Sequence, residues 1–430
     1  MVSLAIYQTV NPDLPQTFQQ GNKTKALYSM LPVFESLREP EDFEEDDRCW
    51  MHPTQVSTQR REDFRLLVDE FTEESQGKRK EPNLSAYRRH MEQLLLNLIN
   101  ALFMHRWLLI ALDEKAYRED EVYIKAGWQF RTMRAVVKHF EEDGLVYLHK
   151  GTRYNKQPLR TRIYPTPALA SYLYPFVLDT VQTFDGPYVV TKRPSDHWNT
   201  AMDGVTPMEE PELIKINQFL KEQDWACKAP IRLIYNQDFL NGGRLYTAYQ
   251  NLLTRKADIR KKTLINGEPI CEVDFSANQL RLQLAVLFEQ DAGEYPYDEI
   301  ALLSKVYDRE KVKAFMVIAF GANSREKAAK ACWKKQISRK QFIALESATM
   351  TIYPKIKLFD GWTHQGQNLE GQILKNVMLK GVAEGVVCLP VHDAVAVQRR
   401  HEAWAVKTMI RTWTEVVGCD VKPRVKVDTA

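Results

Sequence analysis

Two aspartates stand where β-rich runs give out. Cys271-Glu272-Val273-Asp274-Phe275 reads as a short strand ending at Asp274, with a helix following from about Ala277 to Gln290. Gly385 to Val391 and Ala394 to Val397 read as the strands of a hairpin, with His392-Asp393 at its bend. A carboxylate at a strand end projects from the edge of a sheet, a usual place for a ligand site. Two carboxylates brought together from separate strands can hold a pair of Mg²⁺ ions. Such ions lower the pKa of a hydroxyl and steady a leaving phosphate. Each aspartate also has a plainer reading. Asp274 can simply terminate a strand, and Asp is common in turns because it bonds to the local backbone. Ser276 and Gln279 are spaced as a capping box, which would occupy both side chains at the helix start.

Between the two aspartates the charge is uneven. Lys305 to Lys340 carries eleven Lys/Arg against three Asp/Glu. Asp308 to Gly321 reads as a helix. At about 100° per residue, Arg309, Lys313, Met316 and Phe320 share one face. Two cations followed by a ring could neutralise a triphosphate and pack against a base and sugar. A solvated basic helix with a core phenylalanine is the competing reading.

The elements that position these groups belong to a chain of 430 residues, enough for two or three domains and a large core. Apolar residues are 44% and charged residues 27%, an ordinary globular balance, and the net charge of +3 is too small to identify a partner. The six cysteines are scattered, so neither a zinc cluster nor a disulfide framework is expected. With no signal peptide, a cytoplasmic location is expected. Gln93 to Leu112 is apolar, but Asn97, Asn100, His105 and Arg106 interrupt it, which favours a buried helix over a membrane span.

Four regions follow. Residues 1–83 are weakly patterned and include an acidic linker, Glu39 to Asp47. Residues 84–175 read as a long helix to Leu112, a second helix from Trp128 to Glu142, and two strands at Leu145 to Leu148 and Thr161 to Tyr164. That is the order of a winged helix-turn-helix. Arg131, Arg134 and Lys138 on its second helix, and Arg153 in the wing, suit phosphate contacts. A solvated face or a protein-docking module is the alternative. Residues 176–241 read as a helical connector or reduced thumb. Residues 242–430 are mixed α/β and hold the chemistry.

In this order the motifs resemble the palm and fingers of family A DNA polymerases and single-subunit phage-type RNA polymerases. Asp274-Phe275-Ser276 with Leu280-Arg281 is similar to their first palm motif, and Val391-His392-Asp393 to the second. Arg309, Lys313 and Phe320-Gly321 resemble the fingers helix. Gly243-Arg244-Leu245 with Gln250-Asn251-Leu252 resembles the segment that touches the primer–template minor groove. Gln367 to Met378 resembles the helix before the second motif. The likeness covers about Gly242 to Val397, and the layout is nearest to compact polymerase-primases of mobile elements and phages.

The resemblance implies a right-hand palm and fingers preceded by the mostly helical N-terminal region. It implies nucleotidyl transfer from NTPs or dNTPs on a DNA template and primer. Asp274 and Asp393 would hold two Mg²⁺ ions, with Mn²⁺ able to substitute. Arg309 and Lys313 would take the phosphates, and Gln279 and Phe320 the sugar and base. Arg244, Gln250, Gln367 and His392 would hold the primer–template, and a helicase or small accessory protein could dock. There are departures. Gln279 replaces a glutamate that blocks the ribose 2′-hydroxyl, Ala394 replaces a second carboxylate, and Phe320 replaces a tyrosine and sits one residue nearer Lys313 than expected. These departures imply weak discrimination between NTPs and dNTPs. A DNA-binding initiator with a relic palm, or a promoter-using RNA polymerase, are the alternative functions.

Overall fold

The computed structural model describes residues 48–429 apart from 57–59, 78, 105, 152–160, 178, 183, 185, 193–197, 200–208, 237 and 253–259. The acidic run Glu39 to Asp47 and the wing residue Arg153 therefore lie outside the described residues. The chain divides into two compact units. One comprises residues up to 184 with 225–229 and 251–263; the other comprises 185–224, 230–250 and 264–430.

The first unit runs β1 (Arg48–Trp50), β2 (Thr54–Val56), α1 (Arg61–Ser75), α2 (Asn83–Met104), β3 (Trp107–Ile110), α3 (Glu114–Glu119), α4 (Glu121–Lys125), α5 (Phe130–Glu142), β4 (Val146–His149), β5 (Thr161–Pro165), α6 (Pro167–Leu173) and β6 (Thr180–Gln182). Helix α2 is apolar around most of its surface, and Met91, Leu94, Leu95, Leu98, Ile99 and Leu102 are buried. Such a helix must sit inside the unit. It stops at Met104, short of the expected Leu112. Trp107–Ile110 is a strand, with all four residues buried between β1 and β5. An apolar run this short reads equally well as helix or strand until its pairing partners are known. Asp113 and Asp120 then cap the short helices α3 and α4, which the sequence reading missed. Helix α5 buries Met133, Val136, Val137 and Phe140 and leaves Arg131, Arg134 and Lys138 exposed on the opposite side. His90 of α2 holds the start of α5: its Nε2 accepts from the Gln129 amide at 2.7 Å. Its Nδ1–H donates to the Ala86 carbonyl at 2.6 Å.

The second unit holds β7 (Val189–Lys192), β8 (Trp198–Asn199), α7 (Glu210–Glu222), β9 (Arg232–Asn236), β10 (Gly242–Tyr246), β11 (Leu264–Ile265), β12 (Glu268–Phe275), α8 (Asn278–Phe288), α9 (Pro296–Ser304), α10 (Arg309–Gly321), α11 (Arg325–Lys334), α12 (Arg339–Ile352), α13 (Thr363–Glu384), β13 (Leu389–Val391), β14 (Ala394–Gln398), α14 (Glu402–Val417) and β15 (Val425–Thr429). The stretch read as a connector thus contributes β7 to β9 and α7 to this unit.

Two sheets frame it. One has the order β10-β9-β7-β8. In the other, β12 lies between β14 and β15, with antiparallel pairing on both sides. Helices α9 to α12 form a helical block inserted between α8 and α13. No helix among the described residues is long and apolar enough to cross a membrane. All six cysteines are free.

Candidate functional site

Register puts the two aspartates together. Asp274 pairs with Ala394 on β14, and Asp393 is the residue before it, in the two-residue loop joining β13 to β14. That loop is tight enough to force His392 to a φ of 58°, a left-handed conformation costly for a residue with a Cβ. His392 itself is exposed.

On the other side of β12, Asp274 pairs with Lys426, whose Nζ lies 3.0 Å from Asp274 Oδ2. Burial raises the Asp274 pKa against the hydrogen bond and charge of Lys426 and the charge of Lys313. Asp393 is shifted much further. Burial, then the negative charges of Glu370 and Asp274, push it up to about 8, with Arg244 opposing. Burial is the larger cause, and the three acids stand against three cations, Lys426 and Lys313 at Asp274 and Arg244 at Glu370.

Glu370 is that third acid, and it is only 2% exposed on α13. It accepts from Arg244 Nε at 3.0 Å and Nη2 at 2.5 Å. It also accepts from Asn278 Nδ2 at 3.2 Å and Gln279 Nε2 at 2.6 Å. Asn278 in turn accepts from the Trp413 indole at 3.1 Å. Glycines allow this node to form. A Cβ on Gly371 would stand 1.7 Å from the Gly243 carbonyl, so only glycine lets α13 lie directly on β10. Gly243 has a φ of 78° and packs its bare face on Tyr235.

The structure relocates several expected residues. No capping box forms between Ser276 and Gln279. Ala277 takes the N-cap position in the left-handed region, and no side chain caps α8. Gln279 instead turns its amide nitrogen to Glu370, and its Oε1 is buried without a hydrogen-bond partner among the described residues. A Cβ on Gly366 would meet that oxygen at 2.1 Å, so the amide is packed away and is not presented to a sugar. Phe320 is 1% exposed and belongs to the core with Met316. The last turn of α10 is covered by the segment before α13, where the Phe359 amide donates to the Ala319 carbonyl at 2.7 Å. Val317, 58% exposed, is the apolar residue that α10 offers beside Lys313. Gln250 is buried and so is not displayed to a duplex. Arg281, quoted for its motif, is a buried clamp. Its guanidinium donates to the Ser276 carbonyl at 2.9 Å and to the Gly293 carbonyl at 2.9 Å.

Lys313 is exposed on α10 within electrostatic reach of Asp274. Arg309 is exposed one turn earlier, its Nε 3.4 Å from Asp298 Oδ1. Gln367 is half-buried on α13, about one turn before Glu370. Tyr297 of α9 was not foreseen. Burial, then the field of Asp393, push its phenol up to about 12. Sequence gave no signal for Tyr297 or Lys426. Glu370 had only the helical Gly371 beside it, which hints at a close approach without naming the partner.

Among the described residues, no group of three or more His, Cys, Asp or Glu is placed to hold a metal ion. Two carboxylates nevertheless suit Mg²⁺, which is commonly bound through one or two carboxylates plus substrate phosphates and water. An ion there would favour the charged form of Asp393, which burial and the neighbouring acids disfavour.

No family model and no curated protein matches the chain. Among solved structures, the POL domain of Pol1 from M. smegmatis, in complex with DNA primer-template and dNTP, is similar over 86% of this chain at 11% identity and a TM-score of 0.32. This chain spans 66% of that one, just under two thirds of its length. A likeness that loose establishes neither family nor activity, so the functional reading rests on the geometry.

Proposed function

We propose that this chain is a template-directed nucleotidyltransferase: a DNA polymerase with primase activity, acting in replication of a mobile element or phage. The observation that carries the reading is the register of β12 against the β13–β14 hairpin. It sets Asp274 beside Asp393 within mutual electrostatic reach, and Lys313 of α10 lies within reach of Asp274. Asp274 and Asp393 would hold Mg²⁺, or Mn²⁺ in its place; bound there, the ions would activate a 3′-hydroxyl and neutralise the leaving pyrophosphate.

The chain's own groups do the rest. Lys313 and Arg309, exposed on one side of α10, bind the triphosphate. Arg244 is fixed by Glu370 through Nε and Nη2, which leaves Nη1 for an acceptor in the primer–template minor groove. Gln367, half-buried on α13, and His392, exposed in the hairpin loop, are assigned to the same primer–template. Neither Gln279 nor Phe320 offers a free polar group that would exclude a ribose 2′-hydroxyl, so both NTPs and dNTPs are expected as substrates.

In the first unit, α2, β3, α3–α4, α5, β4 and β5, with β3 and β4 both paired to β5, follow the order of a winged helix. Arg131, Arg134 and Lys138 on α5 suit DNA phosphates or an accessory partner. Lys138 is shared with Glu142 at 3.1 Å.

The test is gel-resolved synthesis on single-stranded DNA with Mg²⁺, with and without primer, using NTPs and dNTPs separately. Product without primer, lost in Asp393→Ala, establishes priming. Extension only from a primer leaves a polymerase without primase activity. DNA binding with no product in any lane moves the reading to a non-enzymatic initiator.

A further inference from the structure

Trp333 stands out on the surface of the second unit. It lies in the last turn of α11 and is 70% exposed. Its indole has no hydrogen bond or ring contact among the described residues. Tryptophan is highly buried on average, so a ring left this open invites a partner. The rotation of α11 is fixed by Ala328 and Cys332, which are buried on a face about 100–140° round from Trp333.

The surroundings are basic. Lys330 lies one turn before Trp333, Lys334 and Lys335 follow it, and Arg339 and Lys340 begin α12; all are exposed. None of these five is ion-paired among the described residues. Arg325, by contrast, is committed to Glu346 at 2.7 Å. Glu326 shares the face of Trp333 two turns earlier and is the only acid between 325 and 340. The basic run noted in the sequence therefore extends well beyond the two cations that α10 offers to a triphosphate.

An open ring among unpaired ammonium groups has a specific complement. In a single nucleic-acid strand the bases present unstacked faces, and the phosphates run alongside them. In a duplex those faces are hidden. An acidic peptide would satisfy the lysines but leave the indole unused. We propose that Trp333, Lys330, Lys334 and Lys335 form a contact for single-stranded nucleic acid, with one base stacked on the indole and the backbone along the lysines. None of Lys330, Lys334 or Lys335 acts on the charge of Asp274 or Asp393, and the contact does not require that these be catalytic.

The experiment is anisotropy of a short fluorescein-labelled oligothymidylate with the full chain, in EDTA and without nucleotides. Trp333→Ala should weaken binding by roughly 5- to 150-fold, the loss of one base–aromatic stack. Trp333→Phe should retain most of the affinity. The triple variant Lys330→Gln, Lys334→Gln, Lys335→Gln should flatten the dependence of log affinity on log salt by up to about 2, at ~0.7 per phosphate contact. The proposal is overturned if Trp333→Ala binds like wild type, if Trp333→Phe loses as much as Trp333→Ala, or if blunt duplex is lost equally with single strand. Because no metal or nucleotide is present, absence of synthesis elsewhere leaves this result untouched, and failure here leaves the catalytic reading untouched.

Discussion

Two acids a short way apart in the second unit live in opposite electrostatic circumstances. Glu370 is buried and receives four hydrogen bonds, from Arg244, Asn278 and Gln279. Asp393 is pushed up to about 8, with burial and two neighbouring acids against it. A buried carboxylate ringed by donors is a finished structural part. Asp393, half-buried and facing other carboxylates, has its charged form disfavoured, the situation that a bound cation would relieve. The difference separates the group that positions Arg244 from the group that would take a metal, although sequence shows only acidic residues in both places.

The largest effect should come from removing one acid of the Asp274–Asp393 pair. Asp274→Ala should lower synthesis by at least about 10³-fold, equivalent to ~4 kcal/mol, with the fold retained by circular dichroism. Retention of near wild-type synthesis would place the chemistry elsewhere. Next comes the finished acid. Glu370→Ala leaves Arg244, Asn278 and Gln279 without their shared acceptor and should destabilise the second unit by about 3–5 kcal/mol in chemical denaturation. A loss below ~1 kcal/mol would mean the node is not the keystone drawn here.

Asp393→Asn should do the reverse and stabilise the metal-free protein by about 0.5–2 kcal/mol while removing activity. The sign follows from the raised folded-state pKa. Stability tied to Asp393 is fully present below the unfolded value near 4 and is lost as pH rises through about 8. Unfolding in EDTA at pH 5 and pH 9 should therefore show a narrower stability gap in the variant. A gap of the same width would show that the repulsion is absent.

The smallest effect serves as an external control, a titratable group that is buried yet satisfied. Burial lowers the pKa of His90. Its contribution is present above the unfolded value of about 6.5 and is lost as pH falls through it toward the lowered folded value. The first unit should lose up to about 1 kcal/mol between pH 7.5 and pH 5.5, and His90→Gln should abolish that slope. An unchanged slope would assign it to another group.

What could be read from sequence follows the same division. Asp274 and Asp393 were legible because strand-end patterns are local. The register that pairs Asp274 with Lys426 was not, since Val425 to Thr429 alternates like any edge strand and names no partner. Glu370 sits among Gln365, Gln367, Asn368 and Gln372, polar neighbours that give no hint of its burial. Its burial depends on the glycine contact between α13 and β10, a non-local fact. The Ser276–Gln279 spacing pointed to a capping box, but the left-handed Ala277 removed the geometry that such a cap needs. Phe320 was placed on the open face by helical angle alone, which says nothing of what covers the helix end. In the first unit, Trp107–Ile110 was taken for helix because burial on both faces erases periodicity.

The most direct test of the central claim is titration of the metal-free protein with Mn²⁺, read by the loss of free-ion electron paramagnetic resonance signal, in wild type and in Asp274→Asn and Asp393→Asn. Saturable binding in wild type that is lost in each variant is the predicted result. Binding of equal strength in all three proteins, or no saturable binding in wild type, would contradict the assignment of Asp274 and Asp393 as a cation site.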